Sequence, residues 1–378
     1  MKKIHVALVG LSFGAAFAAI YKAHPDVRAL TLFDINRDRA LEVAKSIGGA
    51  QIAGSFEEIL SNRDIDAVHL VTPIPMHGDM SVRVLNAGKH CACTVPMATS
   101  LEDIDRITRA RRSSGKNYMM METTLYTYQY HYVKGMKERG ELGRIQFFRG
   151  SHYQDMTAWP DYWMGLPPMW YGTHAIAPMV GLSDSRICEV HCYGSGSMDP
   201  ELVKRYHNPY PVESALFRFE SGIKGEATRS LFETARIYQE GMFVYGSKAT
   251  FEWGFGDGDA PYVTTFTVDV PREGRRERDE KVEVVPMPNF YQDLPEELWR
   301  FTVGGNFDPQ NPHKSLEMGG GAGHHGSHPH LVHEFVRSCV EERRPWIDEV
   351  LGGNITAAGL CAHESALREG ERVTVPTF

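Results

Sequence analysis

The chain has no continuous apolar run long enough to cross a bilayer, which removes a membrane-spanning role from its expected functions. It also lacks a surplus of basic charge. Its 40 Lys and Arg stand against 48 Asp and Glu, a net charge of -8, whereas a nucleic-acid surface requires a basic face. Cysteine is scarce: the 6 in 378 residues (Cys91, Cys93, Cys188, Cys192, Cys339 and Cys361) read as reduced thiols of a cytoplasmic protein rather than a disulfide framework. Cys91 and Cys93 alternate on a predicted strand, which favours burial over zinc ligation. No HExxH, paired CxxC or internal repeat is present, and no metal is expected. Lys2 and Lys3 precede an apolar stretch in the manner of a secretory signal, but Gly and Ser interrupt it, and its loss would remove the first predicted strand. The composition, 42% hydrophobic and 23% charged, suits a soluble globular protein with room for two domains and a small-molecule partner.

Short apolar runs alternate with helical segments over the first 125 residues: Ile4 to Val9, Ala29 to Phe33, Ala67 to Val71, His90 to Cys93 and Tyr118 to Met121. Alternation of this kind predicts a parallel, doubly wound α/β sheet. Helices are expected from Arg37 to Ile47 after Asn36, and from Leu101 to Ser114 with Ser100 as N-cap and Asp103 at N3. Ligands of such sheets collect at the carboxyl ends of the strands.

The first of those ends carries a dinucleotide fingerprint. Gly10 permits a tight turn, Gly14 and Ala15 permit close helix packing, and the helix N-terminus that follows suits a pyrophosphate. The second glycine of the pattern is replaced by Ser12, followed by Phe13. Asp34 lies about 20 residues beyond the turn, the distance at which an acid takes the ribose hydroxyls and disfavours a 2′-phosphate, so NAD is the expected cofactor. Arg37 leaves room for NADP. The other strand ends add Thr72, Pro73, Met76 and His77, then Thr94, Val95 and Pro96, and finally Glu122. His77 reads either as a cofactor-side group or as a helix N-terminal residue facing water, and Glu122 as a site carboxylate or a simple strand-end acid.

From Ile145 the runs lengthen (Ile145 to Tyr153, Ile187 to Tyr193, Ser214 to Phe219, Gly225 to Leu231, Met242 to Tyr245 and Ala249 to Trp253), which predicts a second domain, residues 126–378, on a larger sheet. Pro271 to Lys281 reads as a solvated hairpin or loop. The stretch Gly319 to His333 leads into a helix through about Glu342, and Leu351 to Glu369 forms another; both are expected to pack back on the first domain, residues 1–125. Its histidines lack a metal-ligand pattern and read as substrate or capping groups.

The segments VALVGLSFGAAF, DIDAVHLVTPIPMHGDMSVRVLNAGKHC, TVPMATSLED, GELGRIQFFRGSHY, HPHLVHEFV and ESALREGERVTVP together resemble the glucose-fructose oxidoreductase and inositol dehydrogenase family, Gfo/Idh/MocA, nearly end to end. The resemblance implies an N-terminal Rossmann domain and a C-terminal α/β domain with a large, mostly antiparallel open sheet. It also implies a homo-oligomer (dimer or tetramer), NAD or NADP, and hydride transfer from a sugar or polyol carbon. Members use a lysine in a Glu-Lys-Pro turn, and here that turn reads Thr94-Val95-Pro96, so the base must be sought elsewhere.

By the same resemblance, the best replacement is His174 in Trp170-Tyr-Gly-Thr-His-Ala-Ile-Ala-Pro178, where the family commonly places a catalytic histidine; an imidazole can take a hydroxyl proton as hydride leaves. Tyr171, three residues earlier, supports it. The pairing of YGTHAIAP with YMMMETTLY is also similar to the family's NAD-dependent glycosidases, which oxidise a ring hydroxyl, eliminate the glycosidic group, add water and return the hydride. That route needs two bases, for which His152, Tyr153, Asp155 and Glu122 are candidates beside His174 and Tyr171. The aromatic stretch Trp159 to Tyr171 reads as a loop over the site, suited to a sugar face.

Overall fold

The structure, a computed structural model, describes residues 2–157, 159, 165–254, 260–266, 270–272, 275–277, 279–285, 290–303 and 323–378. It forms two compact units that do not follow chain order. The first takes Met1–Thr127, Asn289–Leu360 and Pro376–Phe378, and the second takes Tyr128–Pro288 and Cys361–Val375.

The first unit holds β1 (Ile4–Val9), β2 (Val27–Phe33), β3 (Gln51–Ile52), β4 (Ala67–Leu70), β5 (His90–Cys93) and β6 (Tyr118–Met120). They pair in parallel in the order β3-β2-β1-β4-β5-β6, the order of dinucleotide-binding sheets. Every residue of β1 is buried, as a central strand covered on both faces requires, and this is why the strand is apolar apart from His5, whose Nε2 meets the Thr31 hydroxyl at 2.8 Å. Between the strands lie α1 (Ala15–Ala23), α2 (Arg37–Ser46), α3 (Phe56–Ser61), α4 (His77–Asn86) and α5 (Leu101–Ser114). The Asn36 side chain accepts from the N–H groups of Asp38 and Arg39, and Ser100 accepts from Asp103, so the expected caps form.

The second unit is organised by β7 (Ile145–Gln154). The sheet adds β8 (Ile187–Ser195), β9 (Val212–Phe219), β10 (Lys224–Ser230), β11 (Tyr238–Gly246), β12 (Ala249–Trp253) and β13 (Tyr262–Phe266). The strands β14 (Val270–Arg272) and β15 (Arg275–Glu277) form a separate hairpin at the site of the expected one, and β16 (Glu280–Val284) and β17 (Val373–Thr374) are the sheet's edges. The order is β16-β13-β12-β11-β7-β10-β9-β8-β17, antiparallel except for β7 with β10. The helices of this unit are α6 (Tyr128–Glu138), α7 (Thr173–Ser183) and α8 (Pro200–Tyr206). Helix α7 lies on the buried face of β7, and Gly150 is what lets it approach: a Cβ there would sit 1.9 Å from the Ala175 carbonyl oxygen. The chain then adds α9 (Glu296–Trp299) and α10 (Gly323–Val340) to the first unit and continues through α11 (Glu349–Leu367). Helix α10 opens with His324, His325 and Gly326 in left-handed conformation.

Candidate active site

The cofactor-side residues of the first unit form a tight turn. Gly10 has φ 87°, and a Cβ on it would lie 2.3 Å from the Val71 carbonyl oxygen; one on Gly14 would lie 2.0 Å from the Gly10 oxygen. Ser12 and Phe13 are exposed at the tip. Helix α1 starts at Gly14 with no side-chain cap and no acidic residue in its first turn, so its N–H groups and the positive end of its dipole are available to a diphosphate. This arrangement fits NAD. We expect Gly10→Ala to lower NADH affinity at least tenfold, since the left-handed backbone alone costs about 1–2 kcal/mol for a residue with a Cβ. Fluorescence titration checks it, and an unchanged dissociation constant would refute it.

Asp34 has a structural task beside the ribose one expected of it. Its Oδ2 accepts the Leu11 N–H at 2.7 Å and its Oδ1 the Asn36 N–H at 2.8 Å, tying the glycine turn to the end of β2. Each carboxylate oxygen keeps capacity for a further hydroxyl. Arg37 is exposed at the start of α2, whereas Arg39 bonds the Leu11 carbonyl at 3.0 Å.

His77 is not a water-facing helix residue. It is fully buried, its Nδ1 lies 2.7 Å from the Pro96 carbonyl oxygen, and its Nε2 lies 2.9 Å from that of Thr72. Carbonyls only accept, and two such neighbours favour the charged ring; burial outweighs them and pushes the pKa below its ordinary value. The neutral ring donates one N–H between these two carbonyls and lies between the turn after β4 and the turn after β5. Pro73 precedes a short 3-10 turn, Ile74–Met76, on which Met76 is half exposed. Thr94 extends β5, its N–H bonding the Leu70 carbonyl at 3.0 Å, and Val95 is buried. A buried valine side chain exchanges no proton. Glu122, also buried, caps the turn Thr123–Tyr126: its Oε1 accepts the Thr124 N–H at 3.0 Å and the Thr124 hydroxyl at 2.9 Å.

The histidines of α10 also lie in the first unit. The His328 ring packs 4.5 Å from Phe17, and His324 lies 5.9 Å from Phe13 at the glycine turn. His333 Nδ1 meets His24 Nε2 at 3.0 Å.

In the second unit, His174 stands in the first turn of α7 above the central strands of the sheet. Beneath it runs a cross-strand row set by register: His152 on β7 pairs with Arg229 on β10 and with Glu240 on β11, and Arg229 pairs with Glu213 on β9. Residues directly opposite share a face, so the four side chains line the buried face of the sheet. The His152 and His174 rings are 5.0 Å apart, and donor atoms of His152, His174 and Glu240 lie within 4.8 Å of one another. Tyr238 donates its hydroxyl to Glu240, and its ring stands 5.1 Å from that of His152. Burial, with the Glu240 carboxylate, pushes the Tyr238 phenol well above its ordinary pKa.

Tyr171 ends the 3-10 turn Pro168–Tyr171 rather than sharing a helix with His174, yet the two rings meet edge to face at 5.7 Å. It rests on the apolar cluster of Met156, Met198, Leu231 and Phe232. Arg229 locks this corner. Its Nε donates to the Tyr171 carbonyl at 2.9 Å, Nη1 to His152 O at 3.1 Å and Ser230 O at 3.0 Å, and Nη2 to Gln154 Oε1 at 3.0 Å. Burial lowers its pKa to about 10, so it stays charged. Glu213 holds the next corner, accepting the Met169 N–H at 2.7 Å and meeting His363 Nδ1 at 2.6 Å.

Strand alternation puts Tyr153 on the opposite face of β7 from His152, so His152 and not Tyr153 joins His174. Tyr238 and Glu240 escape sequence reasoning because the run that announces β11 begins only at Met242, and Arg229, although inside the expected run Gly225 to Leu231, because its place in the site depends on the residues it opposes. Of the aromatic stretch, Trp159 and residues 165–171 are described; residues 160–164 lie outside the described residues, as do Gly319 to Ala322 of the glycine-rich stretch.

The model of an oxidoreductase family with an NAD-binding Rossmann fold matches residues 4–122, and the model of the GFO/IDH/MocA C-terminal domain matches residues 130–252. Levoglucosan dehydrogenase from Pseudarthrobacter phenanthrenivorans is 28% identical over 49% of this chain and 48% of its own. Glycosyl hydrolase family 109 protein 1 from Phocaeicola vulgatus is 25% identical over 54% of this chain and 48% of its own. The chain thus spans about half the length of these curated relatives. A solved levoglucosan dehydrogenase in its complex with NADH and levoglucosan has the same fold, with TM-score 0.77 at 20% identity over 100% of both chains. The glycine turn, the parallel sheet behind it, the wide antiparallel sheet that follows and both matching models agree: the chain belongs to the NAD-binding Gfo/Idh/MocA oxidoreductase family.

Proposed function

We propose that this protein oxidises a sugar or polyol carbinol with NAD, His174 taking the hydroxyl proton. The reading rests above all on the register row Arg229–His152–Glu240 under His174. It puts two imidazoles and a carboxylate around one point in a chain whose Thr94-Val95-Pro96 turn has no lysine. When bound, NAD supplies the hydride acceptor. His174 accepts the proton, Tyr171 orients the hydroxyl, and His152 and Glu240 hold the imidazole and stabilise the charge it gains. Thr72, Pro73, Met76 and His77, with Thr94, Val95, Pro96 and Glu122, form the strand-end turns on the nicotinamide side.

Incubation of the purified protein with NAD and a panel of sugars, polyols and glycosides tests this by NADH absorbance. His174→Ala should lower turnover about 10²- to 10⁴-fold, the worth of a positioned base; turnover within threefold of the parent would refute the assignment. A second reading has its own support. An oxidation followed by elimination needs two bases, His152 beside His174 offers them, and relatives carry the glycosyl hydrolase family 109 name. Release of aglycone with no net NADH would select it.

We also propose a cytoplasmic location and a homo-oligomer, a dimer or tetramer. The six cysteines are all free and buried, as in a reducing compartment. The outer face of the second unit's sheet presents Tyr193 and Leu216 to solvent at 63% and 45% exposure, which suits a contact with a second copy. Among the described residues no helix is long and apolar enough to cross a membrane.

A further inference from the structure

We propose that His152, His174 and Glu240 bind a single zinc ion, and that its arrival withdraws the base from the oxidation. The second part rests on the function proposed above; the first does not. Among the described residues, one group of three His, Cys, Asp or Glu side chains brings its donor atoms together, and it is this one, with all three residues buried. Two imidazole nitrogens and a carboxylate oxygen are the donor set of three-ligand zinc sites, which leave a fourth position open to water or substrate. Zinc–nitrogen and zinc–oxygen bonds of about 2.0–2.2 Å place tetrahedral donors roughly 3.3–3.5 Å apart. Donor atoms within 4.8 Å of one another therefore reach that spacing when each pair closes by at most about 1.3–1.5 Å through side-chain rotation.

The scaffold keeps those rotations small. His152 and Glu240 are directly opposed on adjacent strands, and His174 is fixed by the close contact of α7 with Gly150. Tyr238 donates to Glu240 and so orients the carboxylate, as outer partners of metal ligands do. The charge of the site argues for a reversible ion rather than a permanent one. Arg229 lies beside His152 in the same row and already offsets the Glu240 charge, so the cation gains less than it would over an unbalanced carboxylate. No electron moves on binding: three protein donors replace water on the ion. A lone pair of His174 committed to zinc cannot accept a proton, and the hydroxyl of the carbinol then keeps its own.

The test uses the full chain stripped with a chelator and titrated with zinc sulfate against a chromophoric zinc indicator. One equivalent should bind with a dissociation constant of micromolar order or tighter. His152→Ala and Glu240→Gln should each weaken it about a hundredfold, the loss of one ligand of three. Circular dichroism and the urea unfolding midpoint, which report on both units, identify variants that have folded. In parallel, NADH formation by the parent protein should stop at one equivalent of zinc and return with EDTA. The site is overturned if no equivalent binds below about 100 µM, or if both folded variants bind zinc like the parent. Turnover that persists or rises with zinc bound overturns the blocking role. Metal-free protein that oxidises no carbinol while zinc still binds at one equivalent overturns the oxidation reading instead, and leaves the zinc site standing.

Discussion

Replacing Arg229 with methionine should cost the protein about 3–5 kcal/mol of stability, the range found when one partner of a buried charge group is removed. The guanidinium is fully buried and donates to four acceptors, three of them main-chain carbonyls on three different residues. Methionine fills much of the volume but donates nothing. It leaves the carbonyls of Tyr171 and His152 without that donor and the buried carboxylates of Glu213 and Glu240 without the cation registered in their row. Arg229→Lys keeps the charge and loses the planar fork, so it should recover only part of the difference. Urea unfolding followed by fluorescence measures both variants. A loss below about 1 kcal/mol for methionine would mean that the row is held by packing alone. Because the Nε bond sets Tyr171 and the Nη1 bond sets the strand that carries His152, NADH formation should fall even where the variant remains folded.

That dependence explains what the sequence made legible and what it did not. The parallel sheet could be read because β1, β4 and β5 are buried almost throughout and so appear as runs that are apolar but for one histidine each. The place of Asp34 beside the glycine turn could be read because its distance from Gly10 is fixed by one helix and one strand, both local. β3 is two residues long, and β16 is exposed along its whole length; neither carries a periodic signal. β11 was legible from Met242 onward, where its residues are apolar, while Tyr238-Gln239-Glu240 at its start looks like a loop. The site of the second unit depends on that hidden half. Which of two neighbouring polar residues, His152 or Tyr153, faces inward is decided by parity against strands some eighty residues away, and no local pattern records it. His174 was reachable through family resemblance, whereas Arg229 and Glu240 were not, since their importance lies in whom they oppose.

Acidification should destabilise the protein from about pH 6.5 downward, before most of its carboxylates protonate. Several histidines of the first unit are held neutral by burial, and three of them are lowered furthest. His24 and His69 are each lowered to about 3, and so is His328, with His333, His77 and His324 respectively adding to the effect. The surroundings are consistent with neutral rings: His69 Nδ1 accepts from the Tyr21 hydroxyl at 3.2 Å, and His24 shares one proton with His333. In the unfolded chain each titrates near 6.5, so between about pH 6.5 and 3 the unfolded state binds more protons, and stability falls as pH falls. The stabilisation is complete above pH 6.5 and drains toward the folded values. Each group costs about 1.4 kcal/mol per pH unit in that window, so three cost about 4 kcal/mol per unit, or about 6 kcal/mol between pH 6.5 and 5. A domain of ordinary stability, about 5–15 kcal/mol, is largely spent by then. Circular dichroism against pH should show the transition between about pH 4 and 5. His328→Phe, which keeps an aromatic ring against Phe17, should remove one of these three contributions, about 1.4 kcal/mol per pH unit, and make the loss shallower by that amount. Full stability retained down to pH 4 would show that these rings find water or a partner when charged, and that the packing of α10 against Phe17 opens to admit it.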